Sequence, residues 1–239
     1  MQLDLLPTRA GGAAENMAVD FLLLQRYPAA ENARFRHYNW HRPAFTFGYG
    51  QLLGYVKEQL PAGEPLELCR RPTGGGVVDH RNDWTYALVI PGEHSLYEER
   101  ATESYRLVHA CIASAFHQMG EPALLKEPTP ATGTNPAASG PGVCFTRAEN
   151  YDVVHPVTGA KIAGAAQKRS KKGMLFQGSI ARAAVSAAVD WDRFEELLTA
   201  SLAQTLGLSP APAPWPELAE DEVSALTEQY SSEEWNAFR

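Results

Sequence analysis

The chain has 239 residues, of which 44% are hydrophobic, and this is enough to build a substantial core. Its net charge of -7 argues against a nucleic-acid partner, because binding a phosphate backbone needs clustered positive charge. No stretch approaches the ~18 consecutive apolar residues of a membrane span, and Met1-Gln2-Leu3-Asp4 does not begin like a secretion signal, so we expect a cytoplasmic protein without a membrane partner.

In the first half of the chain, apolar spacing and alternation predict a helix followed by a series of strands. The predicted elements are a helix from Ala13 to Arg26, strands from Arg34 to Trp40, Ala44 to Gly48 and Leu66 to Arg70, a short helix ending near Leu60, a strand from Trp84 to Ile90 and the longest helix from Tyr97 to Met119. Asp20 lies on the first helix among apolar neighbours. It either faces solvent, as acidic groups in such places usually do, or holds an arginine or a backbone group near a site.

In the second half, the stretch from Glu121 to Gly142 is rich in Pro, Gly, Thr, Ala and Ser and predicts a long loop, which we place over a site. An antiparallel meander follows, with strands from Asn150 to Val154, Lys161 to Lys168 and, after a turn at Gly173, Met174 to Ile180, and the last predicted elements are helices from Asp190 to Leu206 and from Asp221 to Tyr230. Strands in series with packed helices indicate an α+β fold. We expect residues 1–239 to form a single domain.

The run Arg70-Arg71-Pro72-Thr73-Gly74-Gly75-Gly76 lies at a bend between two extended segments. Three residues without side chains let a ligand approach the backbone and can take φ angles closed to other residues. The alternative is a hairpin turn with surplus glycines. A phosphate-binding loop is excluded, because no Gly-Lys-Ser/Thr ends the run and no helix opens after it.

Two further residues have the chemistry of a reactive site. Lys161 is followed by Ile162-Ala163-Gly164-Ala165-Ala166, so its stem enters a tight, dry place, either as a functional cation or as a lysine whose head reaches water. Cys144 follows a Pro-Gly loop, and a nearby ammonium such as that of Lys161 would lower its thiol pKa. A thiolate beside a cation suits acyl transfer from a thioester, which needs no ATP because a thioester is already activated.

The remaining candidates each have a simpler interpretation. Cys69, Cys111 and Cys144 show neither paired spacing nor a Cys-x-x-Cys unit, so neither a disulfide framework nor a metal site is expected, and Cys111 should pack as an inert thiol on its helix. His80 could orient a ligand, but a structural hydrogen bond is the simpler role. The basic segment from Lys168 to Lys172 is either a solvated hairpin tip or a docking point for an acidic protein.

Together these stretches resemble a known family. The segment from Arg70 to His80 resembles the signature of the superfamily of lipoate-protein ligases and octanoyltransferases, which shares a catalytic domain with biotin protein ligase. Lys161 to Arg169 resembles its second signature and Gln177 to Ile180 its third. Val143-Cys144-Phe145, shortly before the lysine strand, is similar to the octanoyl-acyl carrier protein:protein N-octanoyltransferases with a nucleophilic cysteine at that place.

The resemblance implies a biotin/lipoate protein ligase-like catalytic domain without a C-terminal accessory domain, and an activity. Octanoate would pass from acyl carrier protein to Cys144, and then to a lysine of a lipoyl-domain protein, such as the glycine-cleavage H protein or a 2-oxoacid dehydrogenase E2. Lys161 would lower the pKa of the Cys144 thiol, without a metal or other cofactor. The residues that would bind the acyl chain are Arg71, Thr73, Gly74, Gly75, Gly76, Val77, Val78, His80, Gly164, Ala165, Ala166, Gly178, Ser179 and Ile180.

The sequence leaves two alternative functions open. The first is an ATP- and Mg-dependent lipoate-protein ligase that forms lipoyl-adenylate, since such ligases have glycine where Gly76 stands and these transferases often have arginine. The second is a protein that binds acyl or lipoyl groups without turnover.

Overall fold

The computed structural model describes residues 1–26, 32–63, 65–128 and 148–238. Its helices are α1 (Ala13–Gln25), α2 (Leu53–Lys57), α3 (Ala101–Gln118), α4 (Trp191–Leu206), α5 (Glu220–Ser231) and α6 (Glu233–Ala237). Its strands are β1 (Gln2–Gly11), β2 (Ala33–Trp40), β3 (Ala44–Phe47), β4 (Glu67–Arg70), β5 (Val78–Asp79), β6 (Asp83–Pro91), β7 (Leu124–Leu125), β8 (Val153–Val154), β9 (Lys161–Ser170), β10 (Gly173–Ala181) and β11 (Ser209–Pro212). Cys144 and most of the predicted loop from Glu121 to Gly142 lie outside the described residues.

The described strands form two sheets. Eight of them make a large sheet in the order β11-β1-β2-β6-β10-β9-β8-β7, and three make a small sheet in the order β4-β3-β5. In the large sheet, β1 runs parallel to β2 and β11 and the other pairs are antiparallel. The predicted α+β class with mostly antiparallel sheets is confirmed, as is the meander of β8, β9 and β10.

Helices cover both faces of the large sheet. On one face, α3 and α4 pack over a core that contains Trp84, Tyr86, Phe116 and Phe194. On the other face lies α1, which packs against α5 and contacts β6 and β10. The strand β6 is buried along its whole length from Trp84 onwards, as its apolar sequence predicts.

Several boundaries differ from the prediction. The longest helix begins at Ala101 rather than Tyr97, because Ser95–Tyr97 forms a separate 3-10 turn in which the His94 side chain accepts a hydrogen bond from the Leu96 amide. The sequence did not predict β1, β7, β11 or α6. The strand β11 contains Pro210 and Pro212 and lies at the edge of the sheet, where a missing N–H is tolerated.

Alternation along β10 decides which residues reach each face. Phe176 and Ile180 belong to the core beneath α3 and α4, whereas the side chains of Gln177 and Ser179 bond to groups on the opposite face. That opposite face meets α1 and the small sheet, and the candidate site lies between them. Among the described helices, none combines the length and the apolar character needed to span a lipid bilayer.

Candidate active site

The glycine-rich bend is held from inside by Arg71. Its guanidinium donates hydrogen bonds to the carbonyls of Gly74 at 2.8 Å and Gly76 at 2.9 Å, and to Thr46 Oγ1 at 2.9 Å. Gly75 has a φ of 91°, a conformation that favours glycine. The bend is therefore an ordered structure built around an arginine.

A chain of buried polar side chains connects this bend to α1. Thr73 Oγ1 donates to Gln177 Oε1 at 2.8 Å, and Gln177 Nε2 donates to Asp20 Oδ2 at 2.7 Å. Asp20 also accepts from Arg36 Nε at 2.7 Å and from Tyr38 at 3.1 Å. Because Asp20 is fully buried, the prediction of a solvent-facing carboxylate is wrong, and the alternative that it holds an arginine near the site is confirmed.

The two sheets and α1 line a pocket that is partly open to solvent. The pocket is lined by Met17, Tyr38, Thr46, Arg71, Gly75, Val78, His80, Thr85, Gly164, Ala165, Ala166, Gln177, Gly178 and Ser179. Five of these residues are glycine or alanine, so part of the wall is backbone or a single methyl group, and the surface of the pocket is largely apolar. Such a wall suits the van der Waals packing of a slender apolar chain.

Nine of the fourteen predicted binding residues line this pocket, and the other five do not. Thr73 bonds to Gln177, while the carbonyls of Gly74 and Gly76 accept from Arg71. Val77 belongs to a small apolar cluster with Phe45, Phe47 and Val56. Ile180 lies in the core on the far face of the large sheet.

His80 lines the pocket, and both of its ring nitrogens have partners. Nδ1 lies 2.7 Å from Asp83 Oδ2, and Nε2 lies 2.7 Å from Thr46 Oγ1. The ring also stacks on Trp40 at a centroid distance of 4.2 Å. These contacts confirm the structural hydrogen bonds expected of this histidine.

Lys161 starts β9, and its ammonium lies against the wall of the pocket. A Cβ atom on the pocket-lining Gly164 would come within 2.5 Å of Lys161 Cε and Nζ, so the ammonium occupies the space that a side chain would fill. Lys161 is only 7% exposed, and its Nζ lies 2.8 Å from Asp152 Oδ2. The tight, dry surroundings predicted for this lysine are confirmed. A buried ammonium beside an apolar pocket can stabilise an anion at the end of an apolar ligand.

The two described cysteines are structural. Burial raises the pKa of the Cys69 thiol to about 12. Burial also raises the pKa of Cys111, whose Sγ lies 3.2 Å from Thr205 Oγ1 within the main core. The expected packing of Cys111 is confirmed, and neither thiol would ionise readily near neutral pH.

The sequence did not single out Thr46, Asp152 or Gln177 as site residues. Gln177 lies in a segment that the resemblance covers, and Asp152 lies just before the buried pair Val153-Val154. A carboxylate at the start of a buried strand is the one local signal that could have identified Asp152.

Comparison with known proteins places this chain in a family. Residues 12–205 match the family model described as the lipoyl protein ligase A/B catalytic domain. The chain belongs to this family.

Individual relatives show which members of the family the chain resembles. The chain is 28% identical to the octanoyltransferase LipM of Kyrpidia tusciae, with 97% of each chain covered. It is 33% identical to the octanoyltransferase LipM of Halalkalibacterium halodurans, with 70% of this chain and 61% of the relative covered.

Solved structures confirm the fold. A lipoate-protein ligase A bound with ATP has a TM-score of 0.72 at 21% identity, with 99% of both chains covered. The bi-partite lipoate protein ligase of Thermoplasma acidophilum, solved in a study with its E2 lipoyl domain, has a TM-score of 0.71 at 21% identity, with 99% of this chain and 96% of that chain covered.

Proposed function

We propose that this protein is an octanoyltransferase that moves an octanoyl group from acyl carrier protein to a lysine of a lipoyl-domain protein through a thioester on Cys144. The observation that carries the proposal is the Lys161 ammonium, buried against Gly164 in the wall of an apolar pocket. The two octanoyltransferases described above support octanoyl transfer as the activity in protein lipoylation.

The chemistry requires two acyl transfers. In the first, the Cys144 thiolate attacks the carbonyl of the carrier thioester, and the carrier thiolate leaves. In the second, the neutral amine of the acceptor lysine attacks the new thioester, an amide forms, the Cys144 thiolate leaves and the proton lost from the amine nitrogen passes to solvent. Lys161 provides positive charge for the thiolate and for the oxyanion that forms at the carbonyl. The octanoyl chain packs in the pocket, and neither ATP nor a metal is used.

Glu149, five positions after Cys144 in the sequence, contacts the carboxylate that pairs with Lys161. The Glu149 amide donates to Asp152 Oδ2 at 2.6 Å, and the same oxygen pairs with Lys161. This contact, made by described residues that follow Cys144 in sequence, supports the proposal that Cys144 reacts at the Lys161 site.

The proposal is tested by trapping the intermediate. When the protein is mixed with octanoyl-acyl carrier protein, intact-mass spectrometry should show one added octanoyl group that neutral hydroxylamine removes. Cys144→Ser should give no hydroxylamine-sensitive adduct. Lys161→Ala should form the adduct about 100-fold more slowly, because the thiolate loses its neighbouring charge. No adduct on the wild-type protein, with activity that requires ATP and free lipoate, would identify a ligase instead. Binding of acyl groups without either product would identify a non-catalytic protein.

The partners follow from the same relatives. A protein with a lipoyl domain is the acceptor that the octanoyltransferase and lipoate ligase relatives imply. The glycine-cleavage H protein and a 2-oxoacid dehydrogenase E2 are the candidates we propose. Acyl carrier protein as the donor, and the cytoplasm as the compartment, are likewise part of the proposal.

The basic segment from Lys168 to Lys172 divides into two parts in the structure. Lys171 and Lys172 are exposed in the turn between β9 and β10. Arg169 instead turns inward and donates to the Tyr97 carbonyl at 2.7 Å and to Ser104 Oγ at 2.9 Å. The two exposed lysines are thus available to an acidic donor protein.

Reversing the charge of both lysines tests this docking. In Lys171→Glu/Lys172→Glu, the KM for the acyl carrier protein should rise several-fold while kcat changes little, because surface charges act mainly on encounter. The matched control is Lys57→Glu/Arg193→Glu, which changes the net charge by the same amount elsewhere on the exposed surface. Equal KM values for both variants would discard the docking role of the hairpin.

A further inference from the structure

An open groove lies beside the pocket of the candidate active site. The groove is formed by the end of β2 with the turn to β3, by the turn that leads into β6, and by Arg182, which follows β10. His80 lines both the groove and the pocket, so the two are neighbours. A ligand that extends past His80 would therefore occupy both.

The groove has positive charge that its neighbours leave unbalanced. It contains Arg42, Arg81 and Arg182, and Arg81 pairs with Asp79 at 2.8 Å. Within the part of the chain that the structure describes, neither Arg42 nor Arg182 forms an ion pair. Guanidinium groups bind phosphate through paired, charge-assisted hydrogen bonds. An anion, and a phosphate in particular, suits this groove.

The Arg182 guanidinium is held in place before any ligand binds. Its Nε donates to the Asp83 carbonyl at 3.1 Å, and its Cζ lies 4.5 Å from the centroid of the Trp191 ring. Burial lowers the pKa of Arg182, because desolvation disfavours the charged form. A cation that is both fixed and partly desolvated gains from an anion placed in the groove, and little side-chain freedom is lost when the anion binds.

The side chain of Asp83 adds a second requirement. It is 2% exposed, and its Oδ2 accepts from the hydroxyls of Thr85 and Ser179 and lies 2.7 Å from His80 Nδ1. Its Oδ1 is buried and has no hydrogen-bond partner among the described residues, although Asp83 lines the groove. Buried acceptors nearly always have a donor. A ligand that fits the groove therefore brings an N–H or O–H group as well as an anion.

We propose that this groove binds the phosphopantetheine arm of the acyl donor, with the phosphate held by Arg42 and Arg182 and a hydroxyl or amide N–H of the arm donating to Asp83. This inference rests on the proposed function, since acyl carrier protein carries its acyl thioester on this arm. The arm combines a phosphate diester with a hydroxyl and amide N–H groups, which is the combination that the groove requires. Passing His80, it brings the thioester to the pocket in which the acyl chain packs.

The first test compares ligands without an acyl group by isothermal titration calorimetry in a buffer free of phosphate. Phosphopantetheine should bind about 10-fold more tightly than pantetheine or inorganic phosphate, because it alone uses both the arginines and Asp83. In Arg42→Gln/Arg182→Gln, its affinity should fall to that of pantetheine. The matched control is Arg26→Gln/Arg193→Gln, which removes two arginines from exposed ion pairs elsewhere and should keep the wild-type preference.

The second test separates the arm from the protein that carries it. Holo acyl carrier protein should bind more tightly than the apo form, which lacks the arm, and Arg42→Gln/Arg182→Gln should abolish that difference. Coenzyme A has the same arm. Binding of coenzyme A as tight as that of the holo carrier would support recognition of the arm alone, and weaker binding would support the carrier protein as its source. An equal loss of affinity for the apo and holo forms would assign the arginines to the carrier surface and overturn the proposal.

The remaining outcomes also decide the proposal. Wild-type affinity for pantetheine or for inorganic phosphate equal to that for phosphopantetheine overturns it. If the double variant does not fold, Arg42→Gln alone changes an exposed residue and should reduce the preference for phosphopantetheine about threefold, and an unchanged preference overturns the proposal. The titrations of small ligands contain no octanoyl group. A missing octanoyl adduct would therefore reject the proposed transfer, whereas a missing preference for the phosphorylated arm would reject the role of the groove.

Discussion

Replacing Gly164 by alanine should lower the rate of octanoyl transfer about 100-fold and leave the protein folded. The new methyl group would lie 2.5 Å from both Cε and Nζ of Lys161, closer than real Cβ contacts occur. The atoms that must move are the end of a flexible side chain, so the ammonium shifts while the backbone stays in place. A misplacement of about 1 Å in a reacting group can cost about 100-fold in rate. The measurement is the single-turnover rate of acyl-enzyme formation, beside the thermal midpoint of unfolding.

A matched substitution controls for the loss of glycine itself. A Cβ atom on Gly54, an exposed position in α2, meets nothing within 4 Å. Gly54→Ala should therefore keep the wild-type rate and gain up to about 1 kcal/mol in the free energy of unfolding, because alanine favours a helix over glycine. If Gly164→Ala transfers octanoate as fast as Gly54→Ala, the position of the ammonium over Gly164 has no catalytic importance.

Local patterns in the sequence were sufficient for the class of fold and for most of the pocket wall. Alternation predicted β6 and the hairpin of β9 and β10, and the glycine-rich and alanine-rich segments supplied much of the wall around Gly75 and Gly164. These features depend on residues that are close together in the sequence, so a periodic pattern in the sequence indicates them. The face of the sheet towards which each residue points is harder to predict. Ile180 was predicted to bind the acyl chain, but it lies on the far side of the sheet.

The features that the sequence did not predict depend on contacts between residues that are far apart in the chain. Asp20 contacts Gln177 across the fold, and neither residue has a local pattern that indicates the other. The strand β11 was not predicted, because Pro210 and Pro212 have low strand propensity and the sheet edge at which β11 pairs with β1 is known only from the fold. A buried charge is identified by its partner, and the partner is known only from the folded structure.

The same reasoning applies to the glycine-rich bend, whose support comes from the far end of the described chain. The guanidinium of the fully buried Arg70 donates to the carbonyls of Tyr49 and Gln51 at 2.7 Å each, of Asn236 at 2.8 Å and of Trp235 at 3.2 Å. It thereby joins the start of the bend, the turn after β3 and the helix α6. The sequence showed Arg70 beside Arg71, yet the two arginines have different roles: Arg71 braces the bend from the pocket side and Arg70 anchors it to α6.

Substituting Arg70 by methionine should therefore lower the free energy of unfolding by about 3–5 kcal/mol, because the buried carbonyls would lose their donors and a chain without polar atoms cannot replace them. Arg70→Lys should recover only part of this loss, since one ammonium cannot reach carbonyls on several sides as the planar guanidinium does. Urea unfolding gives the values, and Arg193→Met is the matched control. Arg193 makes an exposed ion pair with Glu196, so its loss should cost no more than about 1 kcal/mol. A comparable cost for the two methionine variants would show that Arg70 is not the residue that anchors the bend to α6.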